Sequence, residues 1–121
     1  MPQKTGFLTT HVLDTARGTP ASAMAIQLYR LDGDTRHLLN SLHTNEDGRT
    51  DSPILPQEDF KPGLYELDFA AGAYLDRLEG EAKKHRFLDR ITIRFGIEDA
   101  CAHYHVPLLF SPFGYSTYRG S

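Results

Sequence analysis

The chain has a single cysteine, Cys101, and no tryptophan among its 121 residues. One cysteine rules out an intrachain disulfide. Nothing around Cys101 marks an activated thiol, so the expectation there is a small buried hydrophobe. No apolar stretch approaches the length of a membrane span. The opening "MPQKTGFLTTHVLD" lacks the apolar core of a secretory leader. Charge of one sign is also lacking: the formal net charge is -3, with acids and bases interspersed. A nucleic-acid surface needs a clustered basic excess, and so does an electrostatic membrane anchor. The partners expected are therefore neither nucleic acid nor membrane, and the expected setting is cytoplasmic.

What is present is enough apolar material for one core: 40% hydrophobic residues, with seven Phe and six Tyr. The length fits a single domain, residues 1–121. Most segments alternate with period two, the strand signature. "FLTTHVL" (7–13) sets Leu8, Thr10 and Val12 on one face and Thr9, His11 and Leu13 on the other. "AMAIQLYRL" (23–31) groups Met24, Ile26 and Leu28. A turn at "LDGD" (31–34) leads into a returning strand at 36–44. The loop "NEDGRTDSP" (45–53) is rich in turn formers. Around 64–70, Tyr65, Leu67 and Phe69 oppose Leu64, Glu66 and Asp68, and in 89–97 Ile91, Ile93 and Phe95 oppose Arg90, Thr92 and Arg94. "AHYHVPLLF" (102–110) has a core set of Ala102, Tyr104, Val106 and Leu108, and Pro107 suggests an edge or bulge. A last short strand is expected at 114–119. The exception is "AAGAYLDRLEGEAKK" (70–84), where Tyr74, Leu75 and Leu78 at helical spacing predict one short helix. Seven or eight short strands and one helix predict an all-β fold, a two-sheet sandwich.

Three polar features stand out from that pattern. His11, His103 and His105 lie on strand faces opposite the apolar sets. Each alone reads most simply as a residue of a solvated face. Together, the His103-x-His105 pair projects two rings to one side and, with His11, could share a metal. Arg49 in "NEDGRT" is either a solvated loop arginine or a fork for a planar carbonyl or carboxylate. The segment "FSPFGYSTYRGS" (110–121) carries aromatics and an arginine where fraying is the default, and reads as an interface, a site or a surface edge.

Several segments resemble the transthyretin-like family and, within it, the 5-hydroxyisourate hydrolases. "LTTHVLDTARGTPA" is similar to the family's first strand and loop, "TNEDGRTD" to its arginine loop, and "KHRFLDRITIRFGI" to the strand before the active segment. "HYHVPLLFSPFGYSTYRGS" resembles the closing signature, and Tyr118-Arg119-Gly120-Ser121 is its most specific part, absent from the hormone-carrying transthyretins. The resemblance implies a sandwich of two four-stranded sheets with a short helix, assembled as a homotetramer with sites at the dimer–dimer interface. It implies His11, Arg49 and His105 as catalytic residues. The same positions, with Ser116, Tyr118, Arg119, Gly120 and Ser121, would bind substrate, and His103 would neighbour the site. The implied reaction hydrolyses the cyclic amide of 5-hydroxyisourate in urate catabolism, with no metal and no cofactor. A non-catalytic small-molecule carrier and a histidine-based metal module are the alternatives.

Overall fold

A computed structural model describes residues 6–120. Ten short strands and one α-helix follow in chain order. They are β1 (Phe7–Thr9), β2 (Val12–Asp14), β3 (Thr19–Pro20), β4 (Ala25–Asp32), β5 (Thr35–His43), β6 (Gly63–Phe69), α1 (Ala71–Glu79), β7 (Ile91–Ile97), β8 (His103–His105), β9 (Leu108–Ser111) and β10 (Gly114–Thr117). Two sheets of four strands form, in the orders β10-β9-β2-β3 and β5-β4-β6-β7, and β1 pairs with β8 as a separate ladder.

The expected alternation holds because one face of each sheet is buried against the other. Leu8, Val12, Leu108 and Phe110 meet Ile26, Leu28, Leu67, Phe69 and Ile91 in one apolar core. The count of strands exceeds the seven or eight expected because the two-residue β3 pairs with β2 and two long strands are each broken in the middle. The first gives way between β1 and β2 at Thr10 and His11, the other between β8 and β9 at Val106 and Pro107. The breaks lie side by side. Val106 N–H donates to Thr9 O and Leu108 N–H to His11 O, both at 2.9 Å, so pairing carries on across the gap. The buried Thr10 hydroxyl donates to Val106 O at 2.7 Å. Pro107 has no N–H for a ladder, which accounts for the interruption at this point.

Two expectations are corrected. The helix ends at Glu79, short of the expected residue 84, where Gly80 turns left-handed and its N–H caps Asp76 O; Leu78 is left exposed. Cys101 is exposed, not buried: its N–H donates to Asp99 Oδ1 at 2.9 Å in a turn between β7 and β8.

Opposite the core, β6 carries Glu66 and Asp68, both buried. Register explains how: Glu66 lies across from Arg94 and Asp68 from Thr92 on β7. Arg36 bonds both carboxylates at 2.9 Å, and Arg94 Nε reaches Glu66 at 3.0 Å. Buried carboxylates persist only when so paired.

Candidate active site

Parallel pairing of β1 with β8 sets Phe7 against His103, Leu8 against Tyr104 and Thr9 against His105. Because side chains alternate, Leu8 and Tyr104 enter the core while Phe7, Thr9, His103 and His105 share the other face, all half-buried. His11, also half-buried, follows two positions after Thr9 on that face. The Thr9 hydroxyl lies 2.7 Å from His103 Nε2 and 2.8 Å from His105 Nδ1, bridging the two imidazoles. The His103 ring stacks on Phe7 with centroids 4.1 Å apart and 17° between planes.

Arg49 comes from the β5–β6 connection, and Asn45 shapes that loop. Asn45 Oδ1 accepts from Asp47 N–H at 2.9 Å and from Arg49 N–H at 3.1 Å, while Asn45 N–H donates to Arg49 O at 2.6 Å. Gly48 anchors the loop to β2: its carbonyl accepts from Val12 N–H at 2.8 Å. Its φ is +76°, and a Cβ there would lie 2.5 Å from Val12 O and 3.3 Å from His11 Cδ2, so only glycine fits. The loop carrying Arg49 is thus held beside the strand carrying His11.

The segment after β10 returns across β8. Gly120 bridges antiparallel to His105, with Gly120 N–H donating to His105 O at 2.7 Å. A Cβ at Gly120 would lie 2.5 Å from His105 Cδ2, so the glycine backbone rests directly on the imidazole. The Arg119 guanidinium sits over the Tyr104 ring, 4.2 Å from its centroid, a cation–π contact. Tyr118 is 60% exposed and Ser116 is exposed on β10; Ser121 lies outside the described residues.

The structure therefore brings together His11, His103, His105, Arg49 and Gly120. Arg119 Nη2 donates to His103 O at 3.5 Å, and Ser116 and Tyr118 are exposed. Burial is the main influence on His105 and pushes its pKa below the ordinary 6.5, and the Arg49 guanidinium, with the neighbouring imidazoles of His103 and His11, pushes it in the same direction. A neutral imidazole with a free nitrogen is what a general base requires. Among the described residues, no group of three or more His, Cys, Asp or Glu side chains is arranged to hold a metal ion. His103 and His105 converge on the Thr9 hydroxyl. Thr9 and Asn45 were not among the candidates from sequence; the "NEDGR" turn chemistry was the only local signal for Asn45.

A cleft of about 220 Å³ opens between β7 and the closing segment, lined by Ile93, Phe95, Tyr104, Thr117, Tyr118 and Arg119. It adjoins the Tyr104 side of β8, and His11, Arg49 and His105 do not line it.

A family model described as "Transthyretin: HIUase/Transthyretin family" matches residues 8–120. The chain belongs to the HIUase/Transthyretin family. One family member, 5-hydroxyisourate hydrolase 2 of Rhizobium meliloti (strain 1021), is 56% identical over 98% of this chain and 98% of its own. The structure of Klebsiella pneumoniae 5-hydroxyisourate hydrolase superposes with a TM-score of 0.76 at 34% identity, covering all of this chain and 98% of that one. Sea bream transthyretin in complex with thyroxine superposes with a TM-score of 0.80 at 25% identity, covering 93% of each chain. Within this family the fold is thus common to proteins named for hydrolysis and to one seen with a bound hormone, and the side chains must separate the two.

Proposed function

We propose that this chain hydrolyses the cyclic amide of 5-hydroxyisourate to 2-oxo-4-hydroxy-4-carboxy-5-ureidoimidazoline, a step of urate catabolism. The observation that carries the reading is a His105 bridged by Gly120 and close enough to Arg49 and His11 for both to act on its charge, in a chain 56% identical to a named hydrolase. A carrier needs no depressed imidazole beside an arginine.

Opening the ring requires an activated water, a stabilised oxyanion and a proton for the leaving nitrogen. His105, with its pKa held low, takes the proton from water, and His11 orients that water. Hydroxide adds to the ring carbonyl carbon. Arg49 faces the carbonyl oxygen and stabilises the negative charge that grows on it. Protonated His105 then gives that proton to the nitrogen, directly or through His11, as the C–N bond breaks, and the new carboxylic acid releases its own proton to water as the ring-opened product departs. Tyr118, Arg119, Gly120 and Ser121, with Ser116, bind the substrate. The chemistry uses water and the chain's own side chains, with no cofactor.

The active form we infer is a homotetramer with sites at the dimer–dimer interface. The histidine face is open in a single chain, and β7 and β10 end their sheets. Phe113 is 77% exposed and Tyr115 49%, apolar surface that a second copy would cover. The inferred setting is the cytoplasm; among the described residues no helix is long and apolar enough to cross a membrane.

The test is kinetic. His105→Ala should lower turnover by about 10²–10⁴ and Arg49→Ala by about 10²–10³, with the oligomer intact in both. Near-normal activity in either variant removes its assigned role.

A further inference from the structure

We infer that Thr9 is a positioning residue that fixes the direction of hydrogen bonding at His105, with His103 as its far anchor. The inference rests on the hydrolase reading above and concerns how the base is kept ready.

The Thr9 hydroxyl carries one proton and faces two ring nitrogens, His103 Nε2 at 2.7 Å and His105 Nδ1 at 2.8 Å. It can donate to only one of the two rings, and when it does so it accepts from the other. In the first arrangement it donates to His105 Nδ1. His105 then keeps its proton on Nε2, and neither nitrogen is free to take one from water. In the second arrangement it accepts from His105 Nδ1–H and donates to His103 Nε2. His105 Nε2 then bears a lone pair and can act as the base.

The second arrangement has a further property. Once His105 has taken a proton, both its nitrogens carry hydrogen, and Thr9 must still accept from Nδ1–H. The hydroxyl therefore points the same way before and after proton transfer, and the base cycles with no reorganisation at Thr9. The first arrangement serves neither state.

His103 is accordingly assigned as a neutral acceptor at Nε2, with its own proton on Nδ1. Its stack on Phe7 holds the ring plane that this bond needs. The β1–β8 register places the residue-9 side chain opposite His105 and within reach of His103. Valine at position 9 has the same shape and β-branching as threonine but no hydroxyl, whereas serine keeps the hydroxyl.

The experiment measures kcat and KM on freshly generated 5-hydroxyisourate for wild type, Thr9→Val, Thr9→Ser, His103→Leu and the Thr9→Val/His103→Leu double variant. Thr9→Val should lower kcat roughly 10- to 100-fold with KM within about twofold, as expected for loss of an orienting hydrogen bond. Thr9→Ser should stay within about threefold of wild type. The double variant should lose no more than the worse single variant, because both act through one proton. A Thr9→Val kcat near wild type, or losses that multiply in the double variant, overturns the inference and leaves the hydrolase reading standing. A wild-type protein that does not accelerate ring opening sinks the hydrolase reading itself. Should Thr9→Val fail to fold, nitrogen-15 NMR of the wild-type imidazoles decides. A neutral His105 protonated on Nδ1 is expected, and one protonated on Nε2 overturns the assignment.

Discussion

Replacing Gly120 by alanine adds one methyl group at the place where the closing segment touches His105. The new Cβ would lie 2.5 Å from His105 Cδ2 and 3.1 Å from Cγ. Carbon atoms in contact prefer about 3.5–4.0 Å, so a displacement of about 1 Å has to be found. Gly120 is not among the positive-φ glycines, so contact and not backbone strain is the obstacle. If the imidazole moves, the base is misplaced, and an error of about 1 Å costs about 10² in rate. If the segment moves instead, the 2.7 Å bond from Gly120 N–H to His105 O is lost. That costs about 0.5–1.5 kcal/mol and withdraws a wall of the site. Both routes predict a fall of about 10² in kcat/KM, with a stability loss no greater than about 1.5 kcal/mol. Steady-state kinetics and urea denaturation of Gly120→Ala measure the two quantities. Wild-type kcat/KM in a folded Gly120→Ala protein would refute the reasoning, because the contact would then be irrelevant to the base.

Other consequences can be checked separately. The His105 pKa lies below 6.5, so a neutral His105 persists below that pH and activity should fall only as pH drops through the lower folded value. The same shift gives a stability contribution that is complete above 6.5 and lost as pH falls through the folded value, since the unfolded chain takes up the proton first. Arg49→Ala removes a positive neighbour and should move the His105 pKa upward in an NMR titration; an unchanged or lower value contradicts the electrostatic coupling. Asn45→Ala deletes the acceptor for the Asp47 and Arg49 amides. It should cut kcat/KM by about 10-fold, and Asn45→Asp, which keeps the acceptor, should lose less. Burial and the hydrogen bond to Asp14 push the Tyr74 pKa to about 12. Tyr74→Phe strips the buried Asp14 carboxylate of a 2.9 Å donor and should cost about 1–3 kcal/mol in urea denaturation. No measurable loss would mean that Asp14 finds another partner.

Much of the sandwich was legible because period-two alternation is a local property. Leu8 and Val12, Ile26 and Leu28, and Tyr65, Leu67 and Phe69 all point inward as their spacing requires. Glu66 and Asp68 alternate with that set, on the opposite face of β6. Their burial depends on Arg36 and Arg94, which reach them only once the β5-β4-β6-β7 order is known. The paired breaks beside Thr10 and Pro107 also need tertiary knowledge, because each is tolerated by bonds to the other strand. At the site, His11, Arg49 and His105 could be named from motif resemblance. Thr9 could not, since its role exists only through a parallel register between residues 7–9 and 103–105. Cys101 went the other way: composition favours burial of a lone cysteine, and a turn stabilised by Asp99 exposes it.

The central claim is turnover of 5-hydroxyisourate, and the most direct measurement follows the ultraviolet absorbance of that compound as urate oxidase generates it from urate. With the purified chain present, the absorbance should decay at a rate proportional to its concentration, well above the spontaneous rate. Decay at the spontaneous rate with a folded protein would contradict the account, and bound but unconverted ligand would point to a carrier.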